Sequence, residues 1–224
     1  MKHIAFIMDG NGRWADNHGK TRQFGHEKGS ENVYDIFLSC INLNINTATF
    51  FAMSSENMNR PKEETEFISI LLNNSIKRHL PDLIENKIKF KVIGDTSHLS
   101  STILETISHA EHLTSKYERY KLNIAYNYGG KWDILNSIHT LLKNNVEISL
   151  DNISSHLSTG SDFPDLIVRT GGYKRLSNFM LWQAAYSELI FLDTLWPEFS
   201  SDDVSGILDN YRSIKRKFGK LIND

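Results

Sequence analysis

The chain has 224 residues, 40% hydrophobic and 23% charged, which supports a packed core and excludes a disordered, charge-dominated chain. Its 25 Lys and Arg against 27 Asp and Glu give a net charge of -2, which argues against a nucleic-acid partner and leaves any anionic ligand to local basic clusters. The single cysteine, Cys40, excludes an internal disulfide framework and a multi-cysteine metal site, and its apolar surroundings read as a buried thiol.

The N-terminal run HIAFIM is too short for a signal-peptide core and is followed by turn residues, so it reads as a first strand. Further short apolar runs predict strands at 47–53, 88–93, 122–126, 166–169 and 189–192. Helical spacing predicts helices at 31–43, from Pro61 onward, and at 99–117, 132–143, 178–186 and 202–218. No linker, repeat or low-complexity tract interrupts the pattern, so residues 1–224 read as one domain. No run approaches the about 20 apolar residues of a membrane span, and the cytoplasm is the expected location. Strands alternating with helices imply an α/β fold with a central, mostly parallel six-stranded sheet covered on both faces. Ligands of such sheets bind beyond the carboxyl ends of the strands, so the residues after each strand carry the functional question.

After the first strand comes Asp9-Gly10-Asn11-Gly12-Arg13-Trp14, followed by Arg22 and His26. The glycines allow backbone N–H groups close to a ligand, and the arginines can hold a diphosphate. Asp9 repels a bare phosphate but can share a magnesium ion with one. The segment also fits Gly-x-Gly-x-x-Ala, yet no second strand with an acidic residue follows at the spacing of a dinucleotide fold. After the second strand, Ser54, Asn57 and Arg60 can bond phosphate oxygens or cap the helix entered at Pro61. The fourth strand ends in Asn127-Tyr128-Gly129-Gly130-Lys131, which reads first as a turn. The fifth ends in Arg169-Thr170-Gly171-Gly172-Tyr173-Lys174-Arg175-Leu176-Ser177-Asn178, where arginine forks, a hydroxyl and a helix N-terminus can converge on one diphosphate. Glu188, before the last strand, is a candidate second metal carboxylate or an exposed acid. His109 and His112 lack a third ligand and read as solvated.

Taken together, HIAFIMDGNGRWA, GKTRQFGHEKG, FAMSSENMNRP, NYGGKWD, DLIVRTGGYKRLSNFMLWQAAYSELIF and LWPEF resemble the cis-prenyltransferases, in family order from His3 to Phe199. The resemblance implies a homodimer with a parallel sheet, an apolar tunnel and magnesium, joining an allylic prenyl diphosphate to isopentenyl diphosphate. It implies that Asp9 binds magnesium, that Gly10, Asn11, Gly12 and Arg13 with Arg22 and Arg60 hold the allylic diphosphate, that His26 lies at the diphosphates and Trp14 contacts substrate, and that Asn57, with Ser54, assists condensation. Arg169, Arg175 and Ser177 would hold the isopentenyl diphosphate, Glu188 would support the metal, and Arg216-Lys217-Phe218-Gly219 would complete a neighbouring subunit's site. A long polyprenyl product would bring peripheral membrane contact. Three positions depart from the family's usual pattern: Tyr173 in place of an acid, Met58 in place of tryptophan, and Lys131 in place of arginine. They keep open a short-chain or irregular synthase, as well as a non-catalytic accessory subunit.

Overall fold

The six apolar runs form six strands: β1 His3–Ile7, β2 Thr47–Phe51, β3 Ile88–Ile93, β4 Tyr120–Ala125, β5 Leu166–Arg169 and β6 Glu188–Phe191. The computed structural model describes residues 1–214. The strands make one sheet in the order β3-β4-β2-β1-β5-β6, with every neighbouring pair parallel. The expected six-stranded α/β architecture is therefore present. β1 and β2 are buried along their whole length, as strands covered on both faces must be.

Seven helices lie in the described residues: α1 Asn11–Asn17, α2 Arg22–Asn42, α3 Lys62–Glu85, α4 Ser101–Thr114, α5 Gly130–Lys143, α6 Leu150–His156 and α7 Ser201–Arg212. An aromatic group ties one face of the sheet to α2. Phe6 stacks on Phe50 at 5.0 Å, Trp196 and Phe199 close over Phe6, and the Trp196 Nε1 donates to the Gly29 carbonyl at 2.7 Å. Each such ring pair adds ~0.5–1.5 kcal/mol beyond its buried area.

Four expectations about helices change. The second helix starts at Arg22 rather than near residue 31, because Thr21 caps it and Gly25 and Gly29 let it cross α1 closely. A Cβ at either glycine would collide with Asn11, so residues that read as loop punctuation serve helix packing. α1 and α6 are short helices that the apolar spacing did not announce. The helix expected at 178–186 is absent: Ser177, Asn178 and Met180 hold left-handed φ angles, and only a 3₁₀ turn, Gln183–Tyr186, follows. Pro61 sits at the N-cap of α3, and no side chain caps it. The last helix is described to Arg212, and the Arg216-Lys217-Phe218-Gly219 segment lies outside the described residues. Cys40 is fully buried, and burial pushes its thiol pKa far up.

Candidate active site

The carboxyl ends of β1 and β5 are adjacent, Ile7 standing level with Arg169. The register brings Asp9 onto Arg169: the Arg169 Nη2 donates to Asp9 Oδ2 at 2.8 Å. Arg169 Nη1 donates to the Arg175 carbonyl at 2.6 Å and to Ser177 Oγ at 2.7 Å. Arg13 approaches the other Asp9 oxygen at 3.3 Å and donates to the Gly171 carbonyl at 2.7 Å. Gly171 and Gly172 take φ near +81° and +80°, and a Cβ at Gly171 would meet the Arg13 guanidinium. That turn needs glycine for both reasons. Asp9 is fixed through its backbone as well. Its N–H donates to Thr170 Oγ1 at 3.0 Å, and that buried hydroxyl donates to the Asp9 carbonyl at 2.8 Å. Thr170 is a positioning residue that the sequence pattern did not single out, hidden between two more conspicuous residue types.

A second cationic group forms around Glu64, in the first turn of α3. Its Oε1 accepts from Arg22 Nε at 3.0 Å and Arg60 Nη1 at 2.9 Å, with His26 Nε2 at 3.4 Å. Burial alone would raise the Glu64 carboxyl, but Arg22, Arg60 and His26 outweigh it and hold its pKa below the ordinary range. Burial lowers the His26 pKa more than Glu64 raises it, so the imidazole favours its neutral form. The role of Glu64 as hub depends on α2 bringing Arg22 alongside. Gly12 joins the two groups, since its Cβ position lies 3.3 Å from Arg22 Nη1. Arg13, grouped with Arg22 and Arg60 by resemblance, instead stands with Asp9 and Arg169.

Beside these groups opens an apolar cavity of about 830 Å³, its mouth included, between the sheet and helices α2 and α3. Met8, Asn11, His26 and Ser30 line it near the cationic groups; Ile76, Leu83, Phe90, Leu122 and Ile124 line its depth. Asn11 Oδ1 is buried there without a hydrogen-bond partner in the protein. Aromatic side chains form part of the cavity wall. Tyr34 stacks on His79 at 4.4 Å, and Tyr126 bonds Ser69 Oγ through its hydroxyl at 2.6 Å.

Ser54 and Asn57 lie in the turn after β2, where Ser54 Oγ accepts from the Asn57 N–H at 3.2 Å. Asn178 does not open a helix. It ties that turn to the β5 turn by donating to Glu56 Oε1 at 2.7 Å and accepting from the Lys131 N–H at 3.0 Å. The Trp14 ring is taken up in stacking with His18 and Phe24. Glu188 begins β6 and pairs with Leu166, at the amino end of the sheet. It therefore stands roughly 16 Å along the strand direction from Asp9, counting five residues at ~3.3 Å each. Within one chain Glu188 and Asp9 do not share a metal. Among the described residues no group of three or more His, Cys, Asp or Glu is arranged to hold a metal alone. The donor that is present, one hard carboxylate beside the Arg13 and Arg169 guanidiniums, suits magnesium arriving with a diphosphate.

Comparison with known proteins agrees with this geometry. The family model described as undecaprenyl diphosphate synthase matches residues 7–219. An isoprenyl transferase of Wolinella succinogenes is 40% identical over 99% of this chain and 97% of its own length. The ditrans,polycis-undecaprenyl-diphosphate synthase ((2E,6E)-farnesyl-diphosphate specific) of Aliivibrio fischeri is 44% identical over 97% of this chain and 88% of its own. Among solved structures, lavandulyl diphosphate synthase from Lavandula x intermedia in complex with dimethylallyl diphosphate superposes with a TM-score of 0.92. It is 32% identical and covers 98% of both chains.

Proposed function

Since the chain belongs to the undecaprenyl diphosphate synthase family and is a prenyltransferase, we propose that it condenses an allylic prenyl diphosphate with isopentenyl diphosphate into a polyprenyl diphosphate of the undecaprenyl type. One observation carries this reading: two cation-rich groups stand at the carboxyl edge of the sheet beside one apolar cavity, whose lining includes His26 of the second group and Met8 and Asn11, which flank Asp9 in the chain. Two diphosphates and a hydrocarbon chain need that combination.

Arg22, Arg60 and His26 with the Gly10–Arg13 turn hold the allylic diphosphate. Arg169, Arg175 and Ser177 hold the isopentenyl diphosphate. The cavity takes the hydrocarbon and excludes water, which would otherwise capture the allylic cation. As the allylic carbon–oxygen bond breaks, fixed guanidiniums meet the charge growing on the departing diphosphate. The isopentenyl double bond forms the new carbon–carbon bond, and a proton leaves with help from Asn57 and Ser54. Asp9 would hold magnesium, which when bound would supply further positive charge to the leaving group. We extend the reading to a homodimer, in which Glu188 serves a site only as a second copy's residue. The chain is placed in the cytoplasm, with a long product drawing it to a membrane surface; no described helix is long and apolar enough to cross one.

A second reading is a short-chain or irregular synthase, favoured by Tyr173 and Met58 and by the Tyr34, His79 and Tyr126 side chains in the cavity wall. The test uses magnesium, labelled isopentenyl diphosphate and, separately, dimethylallyl, geranyl and farnesyl diphosphates, with products sized after phosphatase treatment. A polyprenyl ladder supports the first reading. A single short product, above all one formed from dimethylallyl diphosphate alone, replaces it with the second. No incorporation at all leaves the accessory-subunit alternative.

A further inference from the structure

The turn after β5 carries an aromatic ring into a cluster of like charges. The Tyr173 ring centroid lies 4.3 Å from the guanidinium carbon of Arg175, 5.1 Å from that of Arg13 and 5.8 Å from that of Arg169. These arginines come from three places: α1, the end of β5 and the turn itself. Guanidiniums so close repel one another, and among the described residues Asp9 is the one carboxylate ion-paired to any of them. A ring face attracts a guanidinium without neutralising it. An acidic side chain at this position would gather the arginines too, but would cancel part of the charge that an anion needs. The cluster also has unspent donor capacity. Arg169 is only 5% exposed in its side chain, and its Nε finds no hydrogen-bond partner. Tyr173 itself is 47% exposed, so the core does not require its ring.

We infer that Tyr173 is a positioning residue for diphosphate, its ring holding Arg13, Arg169 and Arg175 as one preassembled anion site that joins the two substrate pockets. This rests on the diphosphate reading above. It also accounts for Arg13 standing apart from Arg22 and Arg60. Substrate then meets guanidiniums already gathered, and the cost of assembling them is not subtracted from binding.

The test is calorimetric titration of the full-length protein with inorganic pyrophosphate, without magnesium, for wild type, Tyr173→Phe and Tyr173→Leu. Thermal midpoints and the kcat and KM for isopentenyl diphosphate are measured alongside. Tyr173→Phe keeps the ring and should bind within about twofold of wild type, whereas Tyr173→Leu should bind about 10-fold more weakly. The KM should rise by a similar factor in Tyr173→Leu, with kcat and thermal midpoint near wild type. Equal binding by all three proteins overturns the inference and leaves the diphosphate reading standing. So does an equal loss in Tyr173→Phe and Tyr173→Leu, which would assign the effect to the hydroxyl. A loss in Tyr173→Leu that tracks a fallen thermal midpoint overturns it in favour of a structural role. Wild-type protein that binds no pyrophosphate overturns both readings.

Discussion

The two ends of the sheet carry polar clusters of similar size and opposite character. At the amino end, His3 Nε2 meets Thr49 Oγ1 at 2.8 Å, and its Nδ1 lies 3.3 Å from Asp162. Asp162 also accepts from Thr47 at 3.0 Å and Lys121 at 3.1 Å, while Asn123 donates to Thr49 at 3.0 Å. Burial works to raise the Asp162 carboxyl, but His3 and Lys121 outweigh it and hold its pKa far down. At the carboxyl end three guanidiniums gather around the Tyr173 ring, Asp9 pairs with only two of them, Arg13 and Arg169, and Arg169 Nε lacks a partner. A buried polar group without a partner costs free energy unless something else satisfies it. The closed cluster is therefore architecture, and the open one keeps a donor free for the proposed diphosphate.

Substitutions at the two ends should separate stability from activity. Asp9→Ala should have the largest effect, lowering kcat by about 100- to 1,000-fold with a urea midpoint near wild type; unchanged turnover would remove Asp9 from the chemistry. Asp162→Ala should do the reverse, costing about 1–3 kcal/mol of folding stability with turnover per folded molecule preserved. A large loss of turnover without unfolding would contradict the division between the two ends. Glu64→Gln leaves Arg22, Arg60 and His26 without their shared carboxylate, and should raise the KM for the allylic substrate about 10-fold, with a smaller change for isopentenyl diphosphate. An equal effect on both substrates would merge the two pockets. The smallest effect concerns pH. Burial holds His26 and His79 below the ordinary value of 6.5, so the unfolded chain binds more protons there. Folding stability should fall as pH drops through 6.5, and Glu64 and Asp162 add a further loss below the ordinary carboxyl values of 4.5 and 3.8. In His26→Asn the decline near pH 6.5 should be shallower, as read by urea midpoints across that pH; an identical decline would exclude His26 as a contributor.

The strands were legible because each is a short apolar run ending at a polar or glycine position, and Asp9 and Arg169 were legible because they follow such runs. What the chain concealed was tertiary. Gly25 and Gly29 look like loop residues until α1 is packed against them. The 178–186 segment has helical spacing, but left-handed angles at Ser177, Asn178 and Met180 spend it on a turn that Asn178 pins to Glu56 and Lys131. Glu64 and Thr170 act through partners 42 and 161 positions away, which no local pattern carries. The distance of Glu188 from Asp9 was hidden for a related reason: a parallel strand beginning at Glu188 puts it at the far end of the sheet.

Hydrogen-exchange mass spectrometry of the full chain with and without inorganic pyrophosphate tests the distinction between the two ends most directly. The account predicts added protection in peptides covering 9–13 and 169–177, with the peptides around His3 and Asp162 unchanged. Protection confined to the amino end of the sheet, or none at either end, would contradict it.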